Sequence, residues 1–334
     1  MSSEPLLRTD NIKKHFQVDS GIINNLVNTI KGQDQEVVHA VDGVSFELNQ
    51  GRTLGIAGES GCGKTTTGML LTKLYEPTDG SVYYKGKNIN NFSKAELRQF
   101  RRDVQMIFQD PFESLNPRMT VLDTVTEPLV IHNIPNKRAR ARRALELAEL
   151  HPPDEFFDQY PHELSGGERQ RLAIARALVV DPEFIVADEP VSMLDVSLRA
   201  GILSLLDRLR QEYGLSVVYI SHDLSLLRHM CDDLAIMYMG RIVEKGDVED
   251  IIRYPQHPYT QALIDAVPVP EPGARKERVE LEGEVGDAID VPSGCPFKNR
   301  CDEYIGDVCD RIEPELEQKD KIEGSQEVAC HLYD

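Results

Sequence analysis

Apolar residues in the first third of the chain come in short runs. Val41–Leu48 and Thr53–Ala57 read as two strands, parted by Asn49-Gln50-Gly51 as a turn. A glycine-rich loop follows, and Lys64–Tyr75 has helical character up to Pro77. Ser81–Ile89 reads as a hairpin broken at Gly86, and Val104–Phe108 as a short strand. From 115 to 180 the texture turns helical. Lys137–Leu150 is rich in Ala, Arg, Leu and Glu, and Glu168–Val180 is a second clear helix. Phe184–Ala187 and Val217–Ile220 are continuous apolar runs of the kind found in buried parallel sheets, with Leu198–Glu212 as the crossover helix between them. This alternation predicts an α/β fold. After Val267 the pattern dissolves: Pro268, Pro270, Pro272 and Gly273 mark a linker, and 274–334 is charged and loop-rich.

Composition changes this picture in two ways. Acids outnumber bases by 56 to 37, a net charge of −19, which argues against nucleic acid as a partner because phosphate-backbone contacts need Lys and Arg. Only 14 of the bases are Lys against 23 Arg, a balance that fits either a salt-filled cytoplasm or an ordinary acidic protein. Second, no stretch reaches the roughly 18 uninterrupted apolar residues of a membrane span, and Met1-Ser2-Ser3-Glu4 carries no secretory pattern. The expectation is a cytosolic chain, unless a partner holds it at a membrane, with reduced cysteines.

Gly58-Glu59-Ser60-Gly61-Cys62-Gly63-Lys64-Thr65-Thr66 fits G-x-x-x-x-G-K-[ST] between a predicted strand and a predicted helix. Glycines let the loop curl so that successive N–H groups face a phosphate, and the helix N-terminus adds partial positive charge. Lys64 can reach the β- and γ-phosphates, and the Thr65 hydroxyl can ligate Mg²⁺. Phe184-Ile185-Val186-Ala187-Asp188-Glu189 is an apolar strand ending in two acids. Asp188 can hold Mg²⁺, and Glu189 can orient and deprotonate an attacking water.

Between these motifs, Leu164-Ser165-Gly166-Gly167-Glu168-Arg169-Gln170-Arg171 opens a helix and closely resembles the LSGGQ signature of ATP-binding-cassette (ABC) ATPases. The resemblance covers roughly 6–255 and implies a P-loop NTPase cassette: a core parallel sheet, an antiparallel β subdomain and a helical subdomain at about 115–180. It implies ATP and Mg²⁺ as ligands. Gln109 resembles the Q-loop glutamine, a further contact to Mg²⁺; Asp195 in Ser192-Met193-Leu194-Asp195 resembles the D-loop; His222 resembles the switch histidine. Phe16 resembles the adenine-stacking aromatic, although 17–38 is an insertion beside it. Glu168 stands where the family usually has Gln, and Met193 where it has Ala. In the family, Ser165, Gly166, Gly167 and Glu168 face the ATP held by an opposing subunit.

Phe108-Gln109-Asp110-Pro111, Ser114-Leu115-Asn116-Pro117-Arg118 and His257-Pro258-Tyr259-Thr260-Gln261-Ala262-Leu263 look like dipeptide/oligopeptide permease ATPase subunits, whose C-terminal extension corresponds to 256–334. That resemblance implies a peripheral subunit on the cytoplasmic face of the membrane. Its partners would be a second, usually non-identical ATPase, two transmembrane permeases and an extracytoplasmic solute-binding protein. Relatives carry nickel or oligosaccharides. A soluble, non-transport ABC ATPase is the competing class; translation ATPases resemble two fused cassettes, and chromosome-maintenance relatives carry a long coiled coil, neither of which this chain has.

Cys295, Cys301, Cys309 and Cys330 lie within the last 40 residues, among charged and turn residues. Their clustering predicts a four-thiolate metal site. The gaps of five, seven and twenty residues lack the close pairs of structural zinc, while Cys295-Pro296 resembles ferredoxin-type ligation. Members of the peptide-permease subfamily can carry a [4Fe–4S] cluster here; zinc is the alternative, and His331 a substitute ligand.

Overall fold

The protein is described by a computed structural model over residues 4–17, 36–266, 291–322 and 324–334. The Pro268–Gly273 linker and most of the 17–38 insertion lie outside the described residues.

Among the described residues, two sheets carry the fold. The smaller runs β2-β1-β4-β5, from β1 (Leu7–Gln17), β2 (Val37–Leu48), β4 (Asp79–Tyr84) and β5 (Lys87–Asn88), all antiparallel. The larger has eight strands in the order β11-β12-β10-β9-β3-β8-β7-β6. Its members are β3 (Thr53–Ala57), β6 (Val104–Ile107), β7 (Phe184–Asp188), β8 (Ser216–Ser221), β9 (Asp233–Tyr238), β10 (Arg241–Asp247), β11 (Glu317–Gln318) and β12 (Glu327–Val328). Strands β9, β3, β8, β7 and β6 are parallel, and every residue of β3, β7 and β8 is buried. Their unbroken apolar sequences follow from that: both faces are covered.

The structure moves several predicted boundaries. The helix after the phosphate loop ends at Leu71, not Tyr75, because Lys73 turns into the left-handed region at φ 52° and the Leu74 N–H folds back to the Met69 carbonyl at 2.9 Å. The strand predicted at Val41 starts at Val37, in register with Gln17. The helix predicted over Lys137–Leu150 stops at Leu147, and the crossover helix extends to Val196–Tyr213, ended by Gly214 in the left-handed region at φ 61°. Helices Val121–Ile131, Lys137–Leu147 and Gly166–Leu178 bury Val125, Leu129, Ala141, Leu145, Leu172 and Ala175 in one core, which they share with Ile107, Ile185 and Val217 of the large sheet.

The C-terminal segment continues the large sheet. Strand β12 pairs with β10 (Glu244 opposite Val328, Lys245 opposite Glu327), and the Ala329 N–H donates to the Val243 carbonyl at 2.9 Å. Tyr333 donates to the Gln256 carbonyl at 2.8 Å. Cys295, Cys309 and Cys330 are buried, and only Cys301 is partly exposed. Their polar sequence surroundings do not predict this. The burial comes from long-range packing: Cys295 and Cys309 share an apolar cluster with Phe297, Tyr238 and Tyr259, whose rings meet with centroids 5.3 and 5.4 Å from that of Phe297, and Cys330 packs with Ile322 and Val328.

Candidate functional site: a phosphate loop at the C-terminal ends of the parallel strands

Strand β3 delivers the chain into Gly58–Gly63 at the carboxyl end of the parallel sheet, where open α/β folds bind ligands. Two glycines here have no substitute. A Cβ on Gly58 would lie 2.2 Å from the Met237 carbonyl oxygen, and one on Gly63 2.0 Å from that of Ala40, at φ 153° and 101°. The helix Lys64–Leu71 then begins, and its first-turn N–H groups have no intrahelical acceptor. Lys64 is buried; its ammonium donates to the carbonyls of Gly58 (2.7 Å) and Glu59 (2.8 Å) across the loop. The loop thus already holds its cation over the concave side where an anion would bind.

Next to it, Asp188 ends β7 at 2% exposure. One carboxylate oxygen, Oδ1, is buried without a partner, and the Thr65 hydroxyl lies beside the side chain, close enough to lower its pKa. Burial pushes the Asp188 carboxyl above the usual carboxylate range; the Thr65 hydroxyl works against that, and neighbouring Glu189 adds to it. A desolvated carboxylate with a vacant lone pair beside a threonine hydroxyl is a donor set that fits Mg²⁺. The residue after it, Glu189, has φ 46°, a conformation costing of the order of 1–3 kcal/mol in a non-glycine residue. Its N–H donates to the Ile220 carbonyl of β8 at 2.9 Å, which fixes the turn. Its carboxylate meets His222: the His222 N–H donates to Oε1 at 3.0 Å, and Nδ1 lies 2.7 Å from the same oxygen. Glu189 is largely shielded and His222 largely exposed, so the pair opens outward from the sheet.

The structure therefore brings Gly58–Thr66, Asp188, Glu189 and His222 together. Gln109 is exposed just past β6. Phe16 lies at the end of β1, half-buried, edge-on to Tyr75 at 5.6 Å. Ser165–Glu168 is apart: among the described residues no hydrogen bond joins it to the phosphate loop. Instead it caps its own helix. The Ser165 N–H and hydroxyl donate to Glu168 Oε2 at 2.7 and 2.6 Å, and the Glu168 N–H returns to Ser165 Oγ at 3.4 Å. The acid in place of Gln thus completes a capping box, and these bonds hold its carboxyl below the usual range. Asp195 is exposed at the start of the helix Val196–Tyr213, between exposed Met193 and Val196. The Gly167 backbone closes on Leu198 of that helix. A cleft of about 1150 Å³ lies elsewhere, behind Asp42, Arg241 and Glu313, and holds none of the phosphate-loop residues.

Two residues of the C-terminal part reach this site unpredicted. Tyr259 Oη accepts the Glu59 N–H at 2.9 Å, and Arg300 forms a two-bond pair with the Glu59 carboxylate at 2.7 and 3.0 Å. The only sequence signal for them was an acid inside the phosphate loop, which needs a basic partner once packed.

The four cysteines converge: the Cys330 thiol is close enough to Cys295, Cys301 and Cys309 to be influenced by each. Yet no three thiols lie within 4.8 Å of one another, since His15, His39 and Asp42 are the only such trio of metal-ligating residues among the described residues. Tetrahedral zinc at about 2.3 Å from sulfur needs thiolates about 3.8 Å apart. Burial pushes the thiols of Cys295, Cys301 and Cys330 up, Cys301 to about 11 and Cys330 to about 12. His331 does not fit as a substitute ligand: its Nδ1 lies 2.7 Å from Asp334 Oδ2 and its Nε2 2.8 Å from the Ile312 carbonyl, so both nitrogens already face oxygens.

Comparison with known proteins agrees with this geometry. Residues 41–192 match the family described as ABC transporter, and 243–309 match the one described as oligopeptide/dipeptide transporter, C-terminal region. The dipeptide transport ATP-binding protein DppF of Escherichia coli is 44% identical over 99% of this chain and 95% of its own length. The oligopeptide transport ATP-binding protein AppF of Bacillus subtilis is 44% identical over 99% and 98%. The ATP-binding cassette MJ0796, solved as a dimer in a post-hydrolysis state with ADP and Pi, superposes with a TM-score of 0.61 at 30% identity over 72% of this chain and 98% of that one. The chain belongs to the ABC transporter family, within its oligopeptide/dipeptide branch of ATP-binding proteins.

Proposed function

We propose that this chain is the ATP-hydrolysing subunit of an importer for dipeptides or oligopeptides. The observation that carries the hydrolytic half is the Glu189–His222 pair next to Asp188 and the Lys64 loop. Residues Gly58–Thr66 bind the phosphates through backbone N–H groups and Lys64. Thr65 and Asp188, with Gln109, would hold Mg²⁺, which would supply the positive charge that offsets the phosphates. Glu189 takes the proton of the attacking water. His222, fixed by Glu189, contacts the γ-phosphate. Phe16 stacks on adenine.

Assembly follows from what one chain leaves incomplete. Ser165–Glu168 serves an ATP held by a second, non-identical ATPase subunit, and the exposed Met193 and Val196 beside Asp195 supply apolar surface for that contact. The Gln109–Pro117 region, with Phe112 56% exposed, docks on a transmembrane permease subunit. Two such permeases hold the chain at the cytoplasmic face; no helix of the described residues is itself long and apolar enough to cross a membrane. An extracytoplasmic solute-binding protein delivers cargo. The cysteines hold a [4Fe–4S] cluster of structural role, with zinc the alternative; anaerobic iron, sulfide and zinc analysis separates the two.

The test is reconstitution with both permeases and the binding protein. Peptide-loaded binding protein should raise ATP hydrolysis. Stimulation by nickel or an oligosaccharide in place of peptide would contradict the cargo assignment.

A further inference from the structure

We propose that Arg300 is a positioning residue for the phosphate loop, acting through Glu59 so that nucleotide affinity depends on the C-terminal cysteine segment. Arg300 sits in the turn Lys298–Arg300, directly before Cys301. Its side chain is only 7% exposed, and both of its terminal nitrogens engage the two Glu59 oxygens, at 2.7 and 3.0 Å. A fork of this kind fixes the carboxylate in direction as well as distance. The turn itself is anchored: the Arg300 N–H donates to the Phe297 carbonyl at 2.9 Å, and Phe297 packs on Tyr238 and Tyr259.

Glu59 is held at both ends. Its N–H points at Tyr259 Oη, its side chain at Arg300, and its carbonyl receives the Lys64 ammonium at 2.8 Å. Turning the Glu59 peptide would therefore move the lysine that meets the phosphates. Removing the guanidinium leaves a partly buried carboxylate of wrong sign beside an anion site, which both frees the loop and repels the ligand. The inference rests on ATP binding at Gly58–Thr66. It does not depend on which metal the cysteines hold.

The test uses the full chain and equilibrium titration with a fluorescent ATP analogue and Mg²⁺. Wild-type binding comes first; its absence would refute the nucleotide site itself. Arg300→Ala and Glu59→Gln should each weaken binding by about 5- to 100-fold. The double variant should be no weaker than the worse single, because both remove one interaction. Arg300→Lys should recover part of the loss, as it keeps the charge but not the fork. Coupling is reciprocal, so nucleotide should slow amide exchange in 295–311 of the wild type and not of Glu59→Gln. Affinity within twofold of wild type in Glu59→Gln, additive losses, or equal exchange protection in both proteins would overturn the proposal. Should Arg300→Ala fail to fold, Glu59→Gln and Arg300→Lys still decide it.

Discussion

Asp188→Asn is expected to stabilise the metal-free protein while removing its response to Mg²⁺–ATP. The wild-type carboxylate is almost wholly buried, with the Thr65 hydroxyl beside it and Oδ1 unpartnered. Its pKa is raised in the folded state, so the folded chain holds a proton more tightly than the unfolded one. Stability from this group is present at low pH and lost as pH rises through the carboxylate range, which makes the ionised form a liability at neutral pH without a cation. An unsatisfied buried acceptor costs about 1–3 kcal/mol, and a charged one more. The neutral amide can still accept from Thr65, so about 1–3 kcal/mol should be recovered, or a few degrees of melting temperature. In wild type, Mg²⁺–ATP at a hundred times its Kd adds about 2.7 kcal/mol. The variant should lose most of that gain. Thermal melts in EDTA and in Mg²⁺–ATP read both effects. A lower melting temperature in EDTA, or an undiminished gain with Mg²⁺–ATP, would refute the reasoning.

Two further outcomes are expected. His257 is buried, with Nδ1 accepting the Tyr259 N–H at 3.1 Å, and burial holds its pKa near 3. The unfolded chain therefore binds a proton that the folded one refuses, and stability should fall by up to about 1.4 kcal/mol per pH unit from about 6.5 downward. Glu244, raised by burial, works in the opposite sense at the acid end. His257→Asn keeps an acceptor for Tyr259 and should flatten the slope; an unchanged slope in denaturant titrations across pH would count against it. With 19 excess negative charges, melting temperature should also rise with KCl as the Debye length falls from about 30 Å at 0.01 M to about 3 Å at 1 M, and a flat profile would leave an ordinary acidic surface.

The site was legible where chemistry is local in sequence. Glycine spacing, the lysine and the strand before them are one contiguous pattern, and the apolar run ending at Asp188-Glu189 announces its own burial. Glu168 stood out as a departure from a signature, yet Ser165-x-x-Glu168 is itself the pattern of a capping box, and the structure uses it as one. What the sequence hides is long-range. Arg300 and Glu59 are 241 residues apart, and the acid in the phosphate loop calls for a basic partner without saying which. Strands β11 and β12 have two residues each, too short for any period, so a segment that reads as loop becomes the edge of the main sheet. The burial of the cysteines is hidden for the same reason: Cys295 and Cys309 join the apolar cluster of Tyr238 and Tyr259, and Cys330 packs with Ile322 and Val328.

The central claim is that Glu189, fixed against His222, removes the proton from the attacking water. Glu189→Gln keeps the acceptor for the His222 N–H and takes away the base. In the assembled complex, single-turnover hydrolysis should fall by about 10²–10⁴-fold while equilibrium ATP binding stays at the wild-type level. Near-normal hydrolysis by Glu189→Gln would contradict the account.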